Sequence, residues 1–463
     1  MARPPAERGI AEPGAGPRRA ARRRREDARP FPRLATLHRW LGVGLGLWFA
    51  LVGLTGALLV WRDEVDAWLN PTLFTPRAAG PALEPGRIAE LARTRHDLGR
   101  IERIRLPAPP PDGHADRGGV YRLQVRTALS RVESGRIEAF VDAASGELLG
   151  TRSLENLTAS RADAMRALYE FHRNILLGEP GSNFVGIAGF LLMASALTGA
   201  VLAWPRTHER LKRLLTIQWR ANVTRVLFDV HRVSGTVIAV VLLLTTFTGA
   251  TLVYLNYVRE MVGWVSRVEP IPVLPFRQGA AEEEPLSLQA LAGRVASAFP
   301  GHRVTEVRLS ERGLTGTLFQ LHAPGDVHRL GDTIVWLHPV SGELLAERSG
   351  RTRSAGESFM HWLLPLHVGS AFGTPGLIAM FAAGLAPLLL VATGLWVWWR
   401  KRPGERLARE RAGERARERA TGRARSRPSD TLGDTPGDTP GAPPVAEARE
   451  GAGPRTGDPP GAR

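Results

Sequence analysis

"LHRWLGVGLGLWFALVGLTGALLVWR", residues 37–62, is a long apolar run closed by arginine and opened by a single histidine. Roughly 20 helical residues rising about 1.5 Å each cross a hydrocarbon core of about 30 Å, so this run predicts a membrane span. The pattern returns at residues 230–255 as "VHRVSGTVIAVVLLLTTFTGATLVYL". There His38, Arg39, Gly42, Thr55, Gly56 and Ala57 meet His231, Arg232, Gly235, Thr248, Gly249 and Ala250 at a constant offset of 193. On a 3.6-residue period Gly42, Gly46, Gly53 and Gly56 lie on the face of His38, and Gly235, Ala239, Thr246 and Gly249 on the face of His231. Such a face serves either as a small-residue seam for close helix packing or as a slot for a flat macrocycle ligated by the histidine. Packing alone does not ask for histidine, which favours the slot.

Outward from these two copies, the apolar residues of the 463-residue chain concentrate in four runs, near 37–61, 183–204, 231–257 and 374–399. Each is long enough to span, which makes the chain a polytopic membrane protein. The first is read as a retained anchor, since its apolar core exceeds that of a signal peptide and no small-x-small site follows Trp61. The sequence holds no cysteine, which excludes disulfides, thiolate zinc, iron–sulfur clusters and covalent CxxCH haem attachment. The formal charge of +16 sits beside the spans and in the tails, so it reports topology and not nucleic-acid binding. Ten arginines precede His38, the 206–225 loop carries Arg210, Lys212, Arg213 and Arg220, and the last run ends in Arg400, Lys401 and Arg402. By the positive-inside rule all three segments are cytoplasmic, both termini are inside, and the two long intervening segments face the periplasm.

The expected organisation is a disordered basic arm (1–33), a first span (34–62), an outer domain (63–158), an interfacial helix (159–182) and a second span (183–205). A cytoplasmic loop (206–225) leads to a third span (226–258), a second outer domain (259–352), an interfacial helix (353–373), a fourth span (374–400) and a disordered cytoplasmic tail (401–463). The tail contains a charged stretch compatible with a short helix, then "GDTPGDTPGAPP" linker. Each outer segment reads as a helix (81–98; 286–299) followed by antiparallel strands (101–106, 120–125, 137–141; 304–309, 317–321, 334–337). "SGELLGTRS" at 145 and "SGELLAERS" at 341 match. "LYEFHRNILLGEPGSNFVGIAG" (168–189) and "LLPLHVGSAFGTPGLIAMFAAG" (363–384) match at an offset of 195 and bring His172 onto His367. The fold class is therefore membrane α-helical, with four transmembrane helices in two parallel tandem repeats, each carrying a small α+β outer domain.

Of twelve histidines, His38, His172, His231 and His367 alone occupy repeat-equivalent positions. A pseudo-twofold axis along the membrane normal pairs His38 with His231 at the cytoplasmic ends and His172 with His367 at the outer face. Two imidazoles across a small-residue gap suit low-spin haem b, which needs two axial nitrogens and an apolar slot. Arg39, Arg173 and Arg232 each follow one of the four and are candidates to pair with haem propionates, ordinary positive-inside charge being the plain alternative for Arg39 and Arg232. His361 is a possible alternative outer ligand to the haem iron; its repeat partner is Arg166. His322, His328 and His338 form a weaker candidate metal cluster in the second outer segment. "GVGLG" at 42–46 mimics a dinucleotide loop but lies inside a membrane helix with no preceding strand.

"LHRWLG", "TGALL", "VDAASGELLG" and "FHRN" together resemble the PepSY-associated transmembrane family, which includes iron-regulated membrane proteins and siderophore-iron reductases of the inner membrane, over roughly residues 34–400. The resemblance implies PepSY-like outer domains, two haems b on His38/His231 and His172/His367, and a membrane oxidoreductase of the ferric-reductase kind. Its expected partners are membrane lipid, a ferric siderophore or other ferric substrate, and a quinol or separate reductase as electron donor, with no nucleic acid. The rival expectation is a non-redox PepSY membrane anchor that binds a peptide, a protease or a metal ligand, in which the four histidines only pack.

Overall fold

The computed structural model of the chain describes residues 31–108, 119–128, 134–205, 214–269, 284–309 and 316–425. Residues 1–30 of the expected basic arm, 206–213 of the loop and 426–463 of the tail lie outside the described residues.

Helix α1 (Pro32–Val60) opens on a proline in its first turn, where a missing N–H costs nothing. It breaks at Trp61 into α2 (Arg62–Leu69), whose first turn carries Asp63 and Glu64, favourable at a positive helix end. Asn70-Pro71 ends that extension and starts the single turn α3 (Pro71–Phe74). Helix α4 (Pro85–Thr94) and strands β1 (Arg100–Arg105), β2 (Val120–Ala128), β3 (Ser134–Asp142) and β4 (Leu148–Ser153) follow. The chain then returns through α5 (Ala164–Asn174) into α6 (Gly178–Ala203). Helix α7 (Val223–Val253), capped by Asn222, leads through α8 (Leu255–Gly263) to α9 (Leu288–Ala298). Strands β5 (Arg303–Arg308), β6 (Thr317–His322), β7 (Thr333–Leu337) and β8 (Leu344–Arg348) precede α10 (Ala355–Val368) and α11 (Gly373–Arg425).

Four helical segments are long and apolar enough to cross a membrane: α1, α6, α7 and Ser370–Lys401. The second span begins at Gly178, not at 183, because "GEP" at 178–180 fits the first helical turn, where proline loses no hydrogen bond. Helix α11 continues to Arg425, through the charged stretch at the start of the expected tail. Large apolar side chains such as Leu47, Ile187, Val237, Val240 and Ile378 are exposed along the spans, as lipid-facing residues are. Trp40, Trp204, Trp219 and Trp399 are exposed near the span ends away from the strands, and Trp68 on α2, Tyr257 on α8 and Trp264 just beyond α8 are exposed. Aromatic side chains at those two levels match the belts of a bilayer's interfaces.

The two outer segments, expected as separate domains, share one antiparallel sheet of eight strands in the order β4-β3-β2-β1-β5-β6-β7-β8. The join is β1 against β5, with Arg103, Ile104 and Arg105 opposite Arg308, Val307 and Glu306. A four-stranded half alone would leave the N–H and C=O groups of this edge unpaired and Ile104 and Val307 exposed; pairing buries both completely. Helices α4 and α9 cover one face, where Ile88, Ala92, Leu291 and Val295 pack on Leu123, Val125, Val141, Phe319, Leu321 and Val335 in a core that runs across the join.

The other face is charged. Arg152 is buried between Glu138 (2.7 Å) and Asp66 (2.9 Å), and Arg122 meets Glu138 at 2.8 Å. Burial alone would raise the Glu138 carboxyl, but the two guanidiniums outweigh it and hold it below its ordinary value. Arg329, between β6 and β7, reaches Glu64 at 2.9 Å, so both halves of the sheet grip α2, the continuation of the first span. Breaking a buried pair strands the remaining charge, so Arg152→Ala should cost about 3–5 kcal/mol. Arg87→Ala, in a half-exposed pair with Glu90, should cost under about 1 kcal/mol. Thermal or urea unfolding of the two variants measures the contrast, and equal costs would contradict this account of the seam.

Candidate functional site

The four repeat-equivalent histidines come together in two pairs. The ring centroids of His38 and His231 are 6.2 Å apart with planes at 76°, and those of His172 and His367 are 6.5 Å apart at 46°. His38 and His231 stand near the starts of α1 and α7, whereas His172 and His367 stand on α5 and α10, which return from the sheet. His172 rests on Gly56, 18 residues beyond His38 on α1, so the two pairs are separated by about 27 Å along that helix at about 1.5 Å per residue.

Each ring sits in the same kind of seat on another helix. His38 Nδ1 lies 2.9 Å from Ser195 O and 3.4 Å from Thr198 Oγ1. His231 Nδ1 lies 2.9 Å from Leu390 O and 3.1 Å from Thr393 Oγ1. His367 Nδ1 lies 3.1 Å from Thr245 O and 3.2 Å from Thr248 Oγ1. His172 bonds Val52 O and lies 3.0 Å from Thr55 Oγ1. In every case the carbonyl belongs to the residue four before a glycine and three before a threonine, in the Thr-Gly steps 55–56, 198–199, 248–249 and 393–394. The threonine hydroxyls donate to those carbonyls, so their own lone pairs face the imidazoles.

A carbonyl accepts and never donates, so the proton of each neutral ring is on Nδ1 and Nε2 keeps its lone pair. This arrangement fixes ring orientation and raises basicity in metal-ligating histidines. Two Nε2 atoms on opposite sides of one ion, at about 2 Å per bond and about 1 Å from nitrogen to ring centre, place ring centroids about 6 Å apart. Both observed separations meet that span.

The glycines make the seats. A Cβ added at Gly56, Gly199, Gly249 or Gly394 would come within 3.0, 2.9, 2.8 and 3.1 Å of Cε1 of His172, His38, His367 and His231 respectively. Along α1 the glycine face divides its work. A Cβ at Gly42 would meet nothing within 4 Å, whereas one at Gly53 would come 2.4 Å from Gly384 O. Close packing against the fourth span therefore holds that face at Gly53, and the face is open at Gly42. At Gly235, expected to border the same slot, an added Cβ would meet Leu390 Cδ2 at an ordinary 3.5 Å.

The remaining candidates are distributed differently. Arg232 is engaged by Asp229, fully buried, at 3.0 Å and by Thr216 O at 2.9 Å, and Arg225 meets the same carboxylate at 3.1 Å. Arg39 is half-buried beside His38. Arg173 is exposed, with its guanidinium over the Tyr169 ring at 6.0 Å. His361 points away from the outer pair, its Nε2 3.2 Å from Asp332 Oδ1 and its ring against His328. The expected 322/328/338 cluster does not assemble. His338 Nδ1 instead accepts from the N–H groups of Val340 and Ser341 in its turn, and His322 stands on β6 opposite Arg303.

The family model of the PepSY-associated TM region matches residues 35–401. Over 282 residues the chain is 28% identical to an uncharacterized protein of Pseudomonas aeruginosa, a match that covers 54% of this chain and 66% of that relative, just under two thirds of its length.

The seats generate a test that needs no ligand. Gly249→Ala, which drives a methyl into His367, should destabilise the helix bundle by about 1–3 kcal/mol. Gly44→Ala, exposed and with nothing within 4 Å, should be neutral or slightly stabilising. Thermal unfolding in detergent is the measurement, and the same midpoint for both variants would remove the seats from the account.

Proposed function

The chain belongs to the PepSY-associated TM family, and from that membership and the histidine geometry we propose that it is an inner-membrane di-haem b electron-transfer protein that reduces a ferric siderophore or another ferric complex on the sheet side. The observation that carries the proposal is that both histidine pairs stand at the span of a bis-imidazole centre, 6.2 and 6.5 Å, with Nδ1 held by a carbonyl. Haem b on His38/His231 and on His172/His367 would supply a one-electron Fe(III)/Fe(II) couple near each face of the bilayer.

The chain's own residues do the rest. The carbonyl bonds and the Thr-Gly seats hold four Nε2 lone pairs inward, and the spans around them exclude water. Arg232 keeps a guanidinium beside the His38/His231 pair, balanced by Asp229. Arg39 and Arg173 flank the sites as further cations for propionates. By the positive-inside rule the arginine-rich ends are cytoplasmic and the sheet is periplasmic. A quinol or a separate reductase is then the electron donor on the cytoplasmic side. One electron converts the ferric substrate to Fe(II), which hard oxygen ligands hold more weakly. The matched strand order of the two half-sheets and the matched seats support reading the chain as two parallel tandem repeats about an axis along the membrane normal.

After haem-replete expression, the purified chain should carry two haem equivalents by pyridine haemochrome. His38→Ala or His231→Ala should remove one and leave the other, and so should His172→Ala or His367→Ala. His361→Ala should leave both. A wild-type protein without a Soret band would end the electron-transfer reading and favour the membrane-anchor alternative.

A further inference from the structure

Outside the paired histidines, one further group of metal-ligating side chains assembles among the described residues. His328 and Asp332 come from the β6–β7 connection and His361 from α10, and one ligand atom from each lies within 4.8 Å of the others. We propose that His328, Asp332 and His361 form a two-histidine-one-carboxylate site for a divalent first-row transition-metal ion, Fe2+ or Zn2+, on the sheet side of the membrane. Two imidazoles and one carboxylate are a donor set suited to those ions and leave coordination positions open.

The spacing suits an ion pair and equally two ligands on one shared ion. His361 Nε2 lies 3.2 Å from Asp332 Oδ1. Two atoms each about 2.1 Å from a shared ion stand about 3.0 to 3.4 Å apart in octahedral or tetrahedral arrangements. His361 Nε2 is buried, and apart from Asp332 no partner meets it among the described residues. His328 Nε2 donates to His361 O at 3.0 Å, which leaves Nδ1 as its lone-pair nitrogen and locks the ring, as an outer partner does for a metal-bound imidazole.

The carboxylate is anchored as well. Asp332 Oδ1 accepts from the His328 N–H at 3.0 Å, and Oδ2 accepts from the Val327 N–H at 3.1 Å. Asp326 and the Arg353 guanidinium hold the Asp332 backbone, the first through its N–H and the second through its carbonyl. Arg353 is thus directed at the peptide oxygen and not at the ligand set. Among the described residues only the second half carries the feature. At the position of His361 the first half has Arg166, whose guanidinium donates to Ser153 O and Leu154 O and closes its turn. Three such ligands, one of them on the helix that also carries His367, are what a sheet-side metal site built onto the repeated frame would leave.

The proposal does not rest on haem. The full-length protein, purified in detergent and stripped with EDTA, is dialysed against graded Zn2+, or against Fe2+ without oxygen, and bound metal is counted. About one equivalent per chain is expected. His328→Gln and His361→Gln should each weaken it at least about tenfold, while His338→Gln, which touches only its own turn, should not change it. Should either variant fail to give a monodisperse protein, hydrogen exchange on the wild type decides: Zn2+ should protect residues 326–332 and 357–364 above the rest of the sheet side. Unchanged stoichiometry and affinity in both glutamine variants, or no protection of those segments, would overturn the site. A protein without a Soret band that still binds Zn2+ in this pattern separates this claim from the haem reading.

Discussion

Four contacts of one kind organise the membrane part of this protein: a histidine on one helix bonds the backbone of another four residues before a glycine, through Nδ1 to the carbonyl at His38, His231 and His367, and at Val52, with Nδ1 on the Thr55 hydroxyl, for His172. The bond decides the tautomer, because a carbonyl cannot donate. The glycine decides the approach, because a side chain there would meet the ring. The exchange is reciprocal. His38 on α1 sits in the seat of α6, while His172, just ahead of α6, sits in the seat of α1. His231 on α7 uses the seat of α11, and His367, just ahead of α11, uses the seat of α7. Each span is thereby tied to its partner at both ends, so the ring orientations are set by the same contacts that hold the bundle.

The sheet fixes the other end of the frame. Its apolar face is closed by α4 and α9, and its charged face grips α2 through Arg152, Arg122 and Arg329. Buried ion pairs of this type contribute less net stability than their Coulomb attraction suggests, because desolvation opposes it. Their effect is to make other placements of the sheet costly, since each alternative strands Asp66 or Glu138. Joined at β1 and β5, the two halves hold α5 and α10, and with them His172 and His367, relative to a single rigid layer.

The spans, the strand order and the four histidines were legible in the sequence because each rests on periodicity or on an internal match that a single chain displays. The seats were only half legible. Thr55-Gly56 and Thr248-Gly249 stood out as repeated residues, yet nothing local shows that a glycine faces a ring on a different helix. The β1–β5 join could not be read, since edge strands of two similar halves carry no mark of whether they meet each other or solvent. The engagement of Arg232 by Asp229 lay three residues away on one helix face, and the charge pattern disclosed it only once the burial of that carboxylate was known. His361 paired with a loop aspartate and not with the outer pair, because six residues of helix turn it well away from the direction of His367.

The central claim is that both paired sites are bis-histidine centres, and axial ligation is read most directly by low-temperature EPR with near-infrared magnetic circular dichroism of the oxidised full-length protein. The account predicts low-spin ferric signals from two distinct centres, both with the charge-transfer band of two nitrogen axial ligands. The two should differ in g-anisotropy, because the ring planes cross at 76° in one pair and 46° in the other. A predominantly high-spin spectrum, a single centre, or an axial ligand other than histidine would contradict it.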